Sequence, residues 1–309
     1  MGTDIKRIIL CDTNNHPTPI LLEWSYGLID LGHDVLFHPI NQGSILDINE
    51  EYDILVYAGI PIEKLWEFEE FKIRYPKTII IGATDHWKNG YERFKGIVTF
   101  FIGCFESIPN VKETFTNNGF KYYNIPLAAN HRLFKKVQTT KIYDSSFIGT
   151  FSHGYRFEDK FLYPILDNDK YHSFLGGVTY GKYQNGFIPY DQHNLIRNQT
   201  KINLNFHVPY QKPNMGNPID RVDCNQSVFN IALSGNFQLC DHPLVIDYFQ
   251  GNVILGDETN WLELFEYYLN NDNEREELAY NAMIMTQNNH TWISRMEQFV
   301  NLINNNYGK

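Results

Sequence analysis

No stretch of this 309-residue chain approaches the roughly 18–20 consecutive apolar residues that span a bilayer, so no transmembrane helix is expected. The opening residues, Met1-Gly2-Thr3-Asp4-Ile5-Lys6-Arg7, have neither the apolar run nor the small-residue cleavage site of a secretory signal. A cytoplasmic protein is therefore expected. Cysteine is scarce: Cys11, Cys104, Cys224 and Cys240 are scattered and form no C-x-x-C pair. That spacing argues against a disulfide framework or a structural zinc site and for reduced, buried thiols. Basic residues are in deficit, with 26 Lys and Arg against 36 Asp and Glu, a net charge of −10. A nucleic-acid binder needs a basic surface to displace phosphate counterions, so nucleic acid is excluded as a partner.

What is present is apolar and aromatic. Hydrophobic residues make up 43% and charged residues 20%, a balance that supports a packed core. At roughly 100–200 residues per domain the length suits about two domains. The first half alternates strand patterns (5–11, 34–39, 53–58, 78–83, 97–103, 122–127) with helical ones (20–31, 62–75, 109–118). Most of those strands read as apolar on both faces, the mark of a parallel sheet covered by helices. Yet the first strand runs into Cys11-Asp12-Thr13-Asn14-Asn15-His16-Pro17 and not G-x-G-x-x-G, so a nicotinamide-type cofactor is not expected.

Residues 128–144 are polar and aperiodic and read as an interdomain linker. The pattern then restarts, with strands at 145–149, 171–176, 201–206 and 237–240 and helices at 157–166, 191–198 and 226–233. Three helical stretches, 261–269, 273–286 and 291–302, close the chain. The expected fold class is α/β, two Rossmann-like domains facing each other across a cleft. Its boundaries are 1–134 for the first domain, 135–290 for the second, and 291–309 for a helix crossing back to the first domain. Ligands in such folds sit at the carboxyl ends of the strands.

Lys201-Ile202-Asn203-Leu204-Asn205-Phe206, then Arg221, then Asn225-Gln226-Ser227-Val228-Phe229-Asn230 reads as strand, loop and helix. The helix opens with Asn and Ser, good N-caps, and a helix N-terminus with a nearby arginine suits a diphosphate. An ordinary capped helix is the plainer account. Phe147-Ile148-Gly149-Thr150-Phe151-Ser152-His153-Gly154-Tyr155-Arg156 forms a strand and turn. Its glycines let backbone approach phosphate, with His153 or Arg156 to neutralise it; an exposed turn with a surface arginine is the alternative. Tyr190 stands at the start of a helix, where it either packs in the core or meets a ligand.

The order of K-I-N-L-N-F, F-N-I-A-L-S-G-N-F-Q-L-C-D, Tyr267-Tyr268-Leu269, Glu274-Arg275-Glu276 and His290-Thr291-Trp292 resembles the C-terminal half of the spore-maturation-protein-like glycosyltransferases, over about 143–302. These have the GT-B fold. The resemblance implies transfer of a sugar from a nucleotide-diphosphate donor, a co-substrate and not a cofactor, to a hydroxyl acceptor such as a glycan. The family's R-x-F-E falls on Ser227-Val228-Phe229-Asn230, departing at both polar positions. Asn230 then stands where a glutamate holds the donor ribose, and Ser227 where an arginine meets the diphosphate, leaving Arg221 and Arg156 as the cations. The resemblance further implies that Gly149, Thr150, His153, Arg156, Tyr190, Arg221, Asn225, Ser227 and Asn230 bind the donor. His290-Thr291-Trp292 is expected to pack.

In the first domain, Asp85 and His86 sit at the carboxyl end of a strand and can orient a sugar or deprotonate an acceptor hydroxyl. His16 is the competing base, with Asp12 beside it in sequence, and Trp87 and Tyr91 offer an acceptor platform. A D-x-D metal site at a strand end is missing, since Asp167-Asn168-Asp169 follows a helix, so no metal is expected. Two other readings share these residues: a GT-B-type epimerase or phosphorylase, and a non-catalytic sugar- or nucleotide-binding protein, which the departures at Ser227 and Asn230 favour.

Overall fold

Apolar and β-branched runs make the first sheet. Arg7–Asp12 (β1), Asp34–Pro39 (β2), Ile54–Ala58 (β3), Ile79–Ala83 (β4), Phe100–Gly103 (β5) and Tyr122–Asn124 (β6) line up in the order β2-β1-β3-β4-β5-β6. Every neighbouring pair is parallel. Ile8 to Cys11 and Ile54 to Val56 are wholly buried, as strands covered on both faces must be. This computed structural model describes residues 5–12, 19–59, 62–84, 90–103, 111–149, 158–177, 186–207 and 223–307. Between the strands run Pro19–Asp30 (α1), Leu65–Arg74 (α2) and Val111–Asn117 (α3).

The second sheet is built the same way. Tyr143–Ile148 (β7), Ser173–Gly176 (β8), Thr200–Asn205 (β9), Gln238–Cys240 (β10) and Ile254–Leu255 (β11) stand in the order β11-β10-β9-β7-β8, again all parallel. Its helices are Tyr163–Leu166 (α4), Tyr190–Asn198 (α5), Gln226–Leu233 (α6), Val245–Phe249 (α7), Trp261–Asn270 (α8) and Asp272–Asn289 (α9). Counted within its own unit, each sheet has its first strand flanked by its second and third. The order therefore reverses between β1 and β3, and between β7 and β9. In open α/β sheets ligands sit at the carboxyl ends of the strands at that reversal.

The chain divides into two units, residues 1–127 with 292–309, and residues 128–291. The stretch read as a linker is bonded along the second unit. The Asn130 amide donates to Asn230 Oδ1 (2.9 Å), that of Lys135 to Asn194 Oδ1 (3.2 Å) and that of Val137 to Asn198 Oδ1 (2.9 Å). Asparagine side chains thus satisfy backbone that has no strand to join, and residues 128–134 lie with the second unit, not the first. β11 and α7 were not legible, being two and five residues long.

Within the first unit the last helix, Trp292–Tyr307 (α10), lies along α1. Trp292 Nε1 donates to the buried carboxylate of Glu23 (2.9 Å), and the Trp24 and Trp292 rings lie 6.3 Å apart. Contact at Gly27 is close enough to exclude a side chain: a Cβ there would stand 2.4 Å from the Trp292 carbonyl oxygen. Gly27→Ala should raise helix propensity by about 1 kcal/mol yet lower stability by about 1–3 kcal/mol through overpacking. Urea unfolding decides between them, and a stabilised variant would contradict the contact.

Among the aromatic residues of strands and helices, Phe100, Phe101, Phe147, Phe206, Phe229, Phe249 and Tyr268 are buried. Tyr267 is the exception at 49% exposure, where its hydroxyl donates to Glu274 Oε2 (2.8 Å). Trp292 is wholly buried in the first unit, and His290 is buried among Phe229, Tyr248 and Phe249 in the second.

Candidate functional site in the second unit

The strand K-I-N-L-N-F alternates. Ile202, Leu204 and Phe206 enter the apolar core with Phe147, Leu239 and Trp261. Asn203 and Asn205 face the other way and are equally buried, at 2% and 3% exposure, so this face of β9 is polar although it is covered. Each amide is satisfied. Asn203 Oδ1 accepts from Ser146 Oγ (3.1 Å) and its Nδ2 donates to the Phe237 carbonyl (3.2 Å). Asn205 and Asn225 exchange side-chain amide bonds (2.9 and 3.3 Å). Asn225 is the N-cap of α6, its Oδ1 accepting from the Val228 amide (3.2 Å). The strand therefore carries the cap, and the cap fixes where α6 begins.

A second support comes from the loops just beyond β9 and β10. The Asn225 amide donates to His207 Nε2 (2.8 Å), which places the ring proton on Nδ1, and Nδ1–H donates to Asp241 Oδ1 (2.8 Å). The backbone amide of His207 donates to the same carboxylate (3.0 and 3.1 Å). His207, Cys240 and Asp241 place three possible metal ligands within 4.8 Å of one another. Their chemistry suits a strut better than an ion site: both ring nitrogens are committed, and burial with Asp241 beside it pushes the Cys240 thiol up, away from the thiolate a metal requires. Burial raises the Cys224 thiol likewise.

The side of α6 carrying Ser227, Asn230 and Ser234 faces α5 and residues 130–134. Ser227 Oγ accepts from Arg197 Nη2 (3.2 Å). Asn230 Oδ1 accepts from the Asn130 amide, and Asn230 Nδ2 donates to the Tyr190 hydroxyl (3.1 Å). Ser234 Oγ donates to Asn194 Oδ1 (2.9 Å). Tyr190 is 37% exposed, edge-on to Phe134 (5.4 Å) and His193 (5.3 Å). Burial, reinforced by the Arg197 cation, pulls His193 down to about 4, so the imidazole is neutral at pH 7.

The expected donor residues Asn225, Ser227, Asn230 and Tyr190 are thus brought together, Asn230 and Tyr190 in direct contact. Asn230 is 2% exposed with both ends of its amide bonded to protein. Gly149 closes β7, its amide donating to the Gly176 carbonyl (3.0 Å). Tyr91, considered for an acceptor platform, bonds Thr84 Oγ1 (3.2 Å) and packs on Phe94, Phe101 and Phe115. His16, Asp85, His86, Trp87, Thr150, His153, Tyr155, Arg156, Tyr210 and Arg221 lie outside the described residues.

Sequence reasoning missed Arg197, His207 and Asp241. Arg197 shares a helix face with Tyr190 and Asn194, a polar stripe that reads as a solvated surface, while the partners of His207 lie 18 and 34 positions away.

Residues 153–301 match the model of a family described as glycosyl transferase-like. None of the curated proteins matches the chain in sequence. Among solved structures, Anabaena HepE in complex with UDP-glucose superposes with a TM-score of 0.58 at 10% identity, over 96% of this chain and 99% of that one. The sucrose-phosphate synthase of Thermosynechococcus elongatus gives 0.61 at 9% identity, over 97% and 99%. AviGT4, a glycosyltransferase involved in avilamycin A biosynthesis, gives 0.61 at 11% identity, over 96% of each chain. At such identities the likeness shows the fold: two parallel-sheet Rossmann-like units of the GT-B glycosyltransferase type.

Proposed function

We propose that this protein is a glycosyltransferase that moves a sugar from a nucleoside-diphosphate donor to a hydroxyl acceptor. The observation that carries the reading is the glycosyl transferase-like match over 153–301, which covers the braced first turn of α6 at the strand ends. A helix start is a ready anion site, and a diphosphate is the leaving group of such a transfer. The donor falls to the second unit: Gly149, Tyr190, Asn225, Ser227 and Asn230, with Thr150, His153, Arg156 and Arg221 from the sequence after β7 and before α6. The acceptor falls to the first, with Asp85, His86 or His16 as the base. Charge on the departing diphosphate is offset by protein cations and amides, without a metal ion. The narrower kinship to the spore-maturation-protein-like enzymes rests on the motifs from Lys201 to Arg295.

A non-catalytic nucleotide-binding role is the second reading, favoured by Asn230, whose amide is spent on Asn130 and Tyr190. Calorimetric titration with UDP, GDP and dTDP, then donor turnover over a panel of acceptors, separates the two. UDP comes first in that order, because HepE holds UDP-glucose. Binding with turnover of the matching donor is the expected result. Binding without turnover of any donor favours the second reading, and failure of all three nucleotides to bind overturns both.

A further inference from the structure

Arg197 is an arginine where arginines are seldom found. It is 3% exposed, on the last turn of α5, and its Nη1 is buried with no hydrogen-bond partner among the described residues. No carboxylate pairs with it there. Its neighbours are the Phe134 ring, 5.2 Å beneath the guanidinium carbon, and the Ser227 hydroxyl, 3.2 Å from Nη2. Burial pulls its pKa down to about 10, still well above neutrality, so the guanidinium is charged at pH 7. A buried cation with no counter-charge among the described residues is costly, and groups of that kind cluster at functional sites.

The Ser227 hydroxyl has one proton and two lone pairs. One lone pair is taken by Arg197, so the proton is free to be donated elsewhere. Ser227 is the second residue of α6, only half-buried, and stands among the first-turn amides that draw anions. An anion at this turn would accept from the serine hydroxyl, with the guanidinium directly behind.

We propose that Arg197 and Ser227 form one diphosphate-binding dyad, Ser227 donating its hydroxyl to a phosphate oxygen and Arg197 supplying the balancing charge through it. This rests on the donor reading given above. Ser227 is the contact and Arg197 the positioning residue.

The test measures affinity for whichever of UDP, GDP and dTDP binds, and for the matching nucleoside, in wild type, Arg197→Gln, Ser227→Ala and the double variant. A hydrogen bond backed by a charge corresponds to about a 10- to 100-fold loss, expected for the diphosphate in Arg197→Gln with nucleoside affinity held. Ser227→Ala should lose less, and the double variant little more than Arg197→Gln alone, because the two act as a unit. Arg197→Lys, which keeps the charge but not the fork, should recover part of the loss. A diphosphate-to-nucleoside ratio unchanged in Arg197→Gln overturns the dyad, as does a parallel fall in both affinities. Should Arg197→Gln not fold, an unchanged ratio in both Arg197→Lys and Ser227→Ala overturns it. If wild type binds no nucleoside diphosphate, the donor reading fails. Inorganic pyrophosphate then tests the anion site alone: a rise in wild-type Tm that Ser227→Ala removes supports the dyad, and no rise overturns it.

Discussion

Gly177→Ala is expected to destabilise the second unit by about 2–6 kcal/mol, summing overpacking with left-handed backbone strain. Gly177 follows β8 with φ +120°, and a Cβ there would stand 1.9 Å from the carbonyl oxygen of Gly149 and 2.8 Å from its carbonyl carbon. Neither neighbour is a side chain that can swing away. Gly149 closes β7, so relief would have to move the end of one strand against the other, at the edge of the proposed donor site. Thermal and urea unfolding followed by tryptophan fluorescence read the effect. Gly186→Ala is the control: nothing among the described residues lies within 4 Å of a Cβ at that position, and its φ is outside the left-handed region. It should stay within about 0.5 kcal/mol of wild type. A Gly177→Ala protein as stable as this control would mean that the two turns do not touch.

The second large effect is expected from Asp241→Ala. Its carboxylate accepts from the His207 ring and from the His207 backbone amide, and the His207 side chain is 5% exposed. Removal strands two buried donors, each costing about 1–3 kcal/mol, for a total of about 2–6 kcal/mol. The damage does not stop at His207. Its Nε2 receives the Asn225 amide, so a ring freed to turn releases the cap of α6. Asp241→Asn keeps one acceptor oxygen for the ring and should cost less. Urea unfolding gives the stability, and nucleotide titration reports the loosened helix start. An Asp241→Ala protein that keeps wild-type stability would remove the strut from the account.

The alternation of strands and helices was legible because parallel strands must be apolar on both faces and their crossovers amphipathic. Ile8 to Cys11 and Ile54 to Val56 announce themselves in this way. The start of α6 was legible from Asn225, since a cap is a local device. What stayed hidden depends on distance along the chain. Asn203 and Asn205 look like interruptions in a strand until Ser146, Phe237 and Asn225 are seen to satisfy them. Residues 128–144 look like a tether because nothing nearby in sequence hints that Asn194, Asn198 and Asn230 accept amides from this stretch. Asn230 was read as a ligand for ribose, and the structure gives its amide two protein partners. Arg197 was overlooked, because a guanidinium on a polar helix face reads as solvated until its burial is known.

The bridge between Ala129 and Thr291, with the Ala129 amide donating to the His290 carbonyl (2.8 Å), joins the residues at which the chain enters and leaves the second unit. In the language of gene architecture that unit is an insertion carried by its host, spliced in after residue 127 and spliced out before residue 292. Its two ends are already clasped, the arrangement that lets a domain be lifted out, exchanged for a relative or recut into a circular permutant with little disturbance to its core. The unit proposed to bind the nucleotide could therefore be exchanged as one piece, while the host sheet and its final helix keep their own contacts.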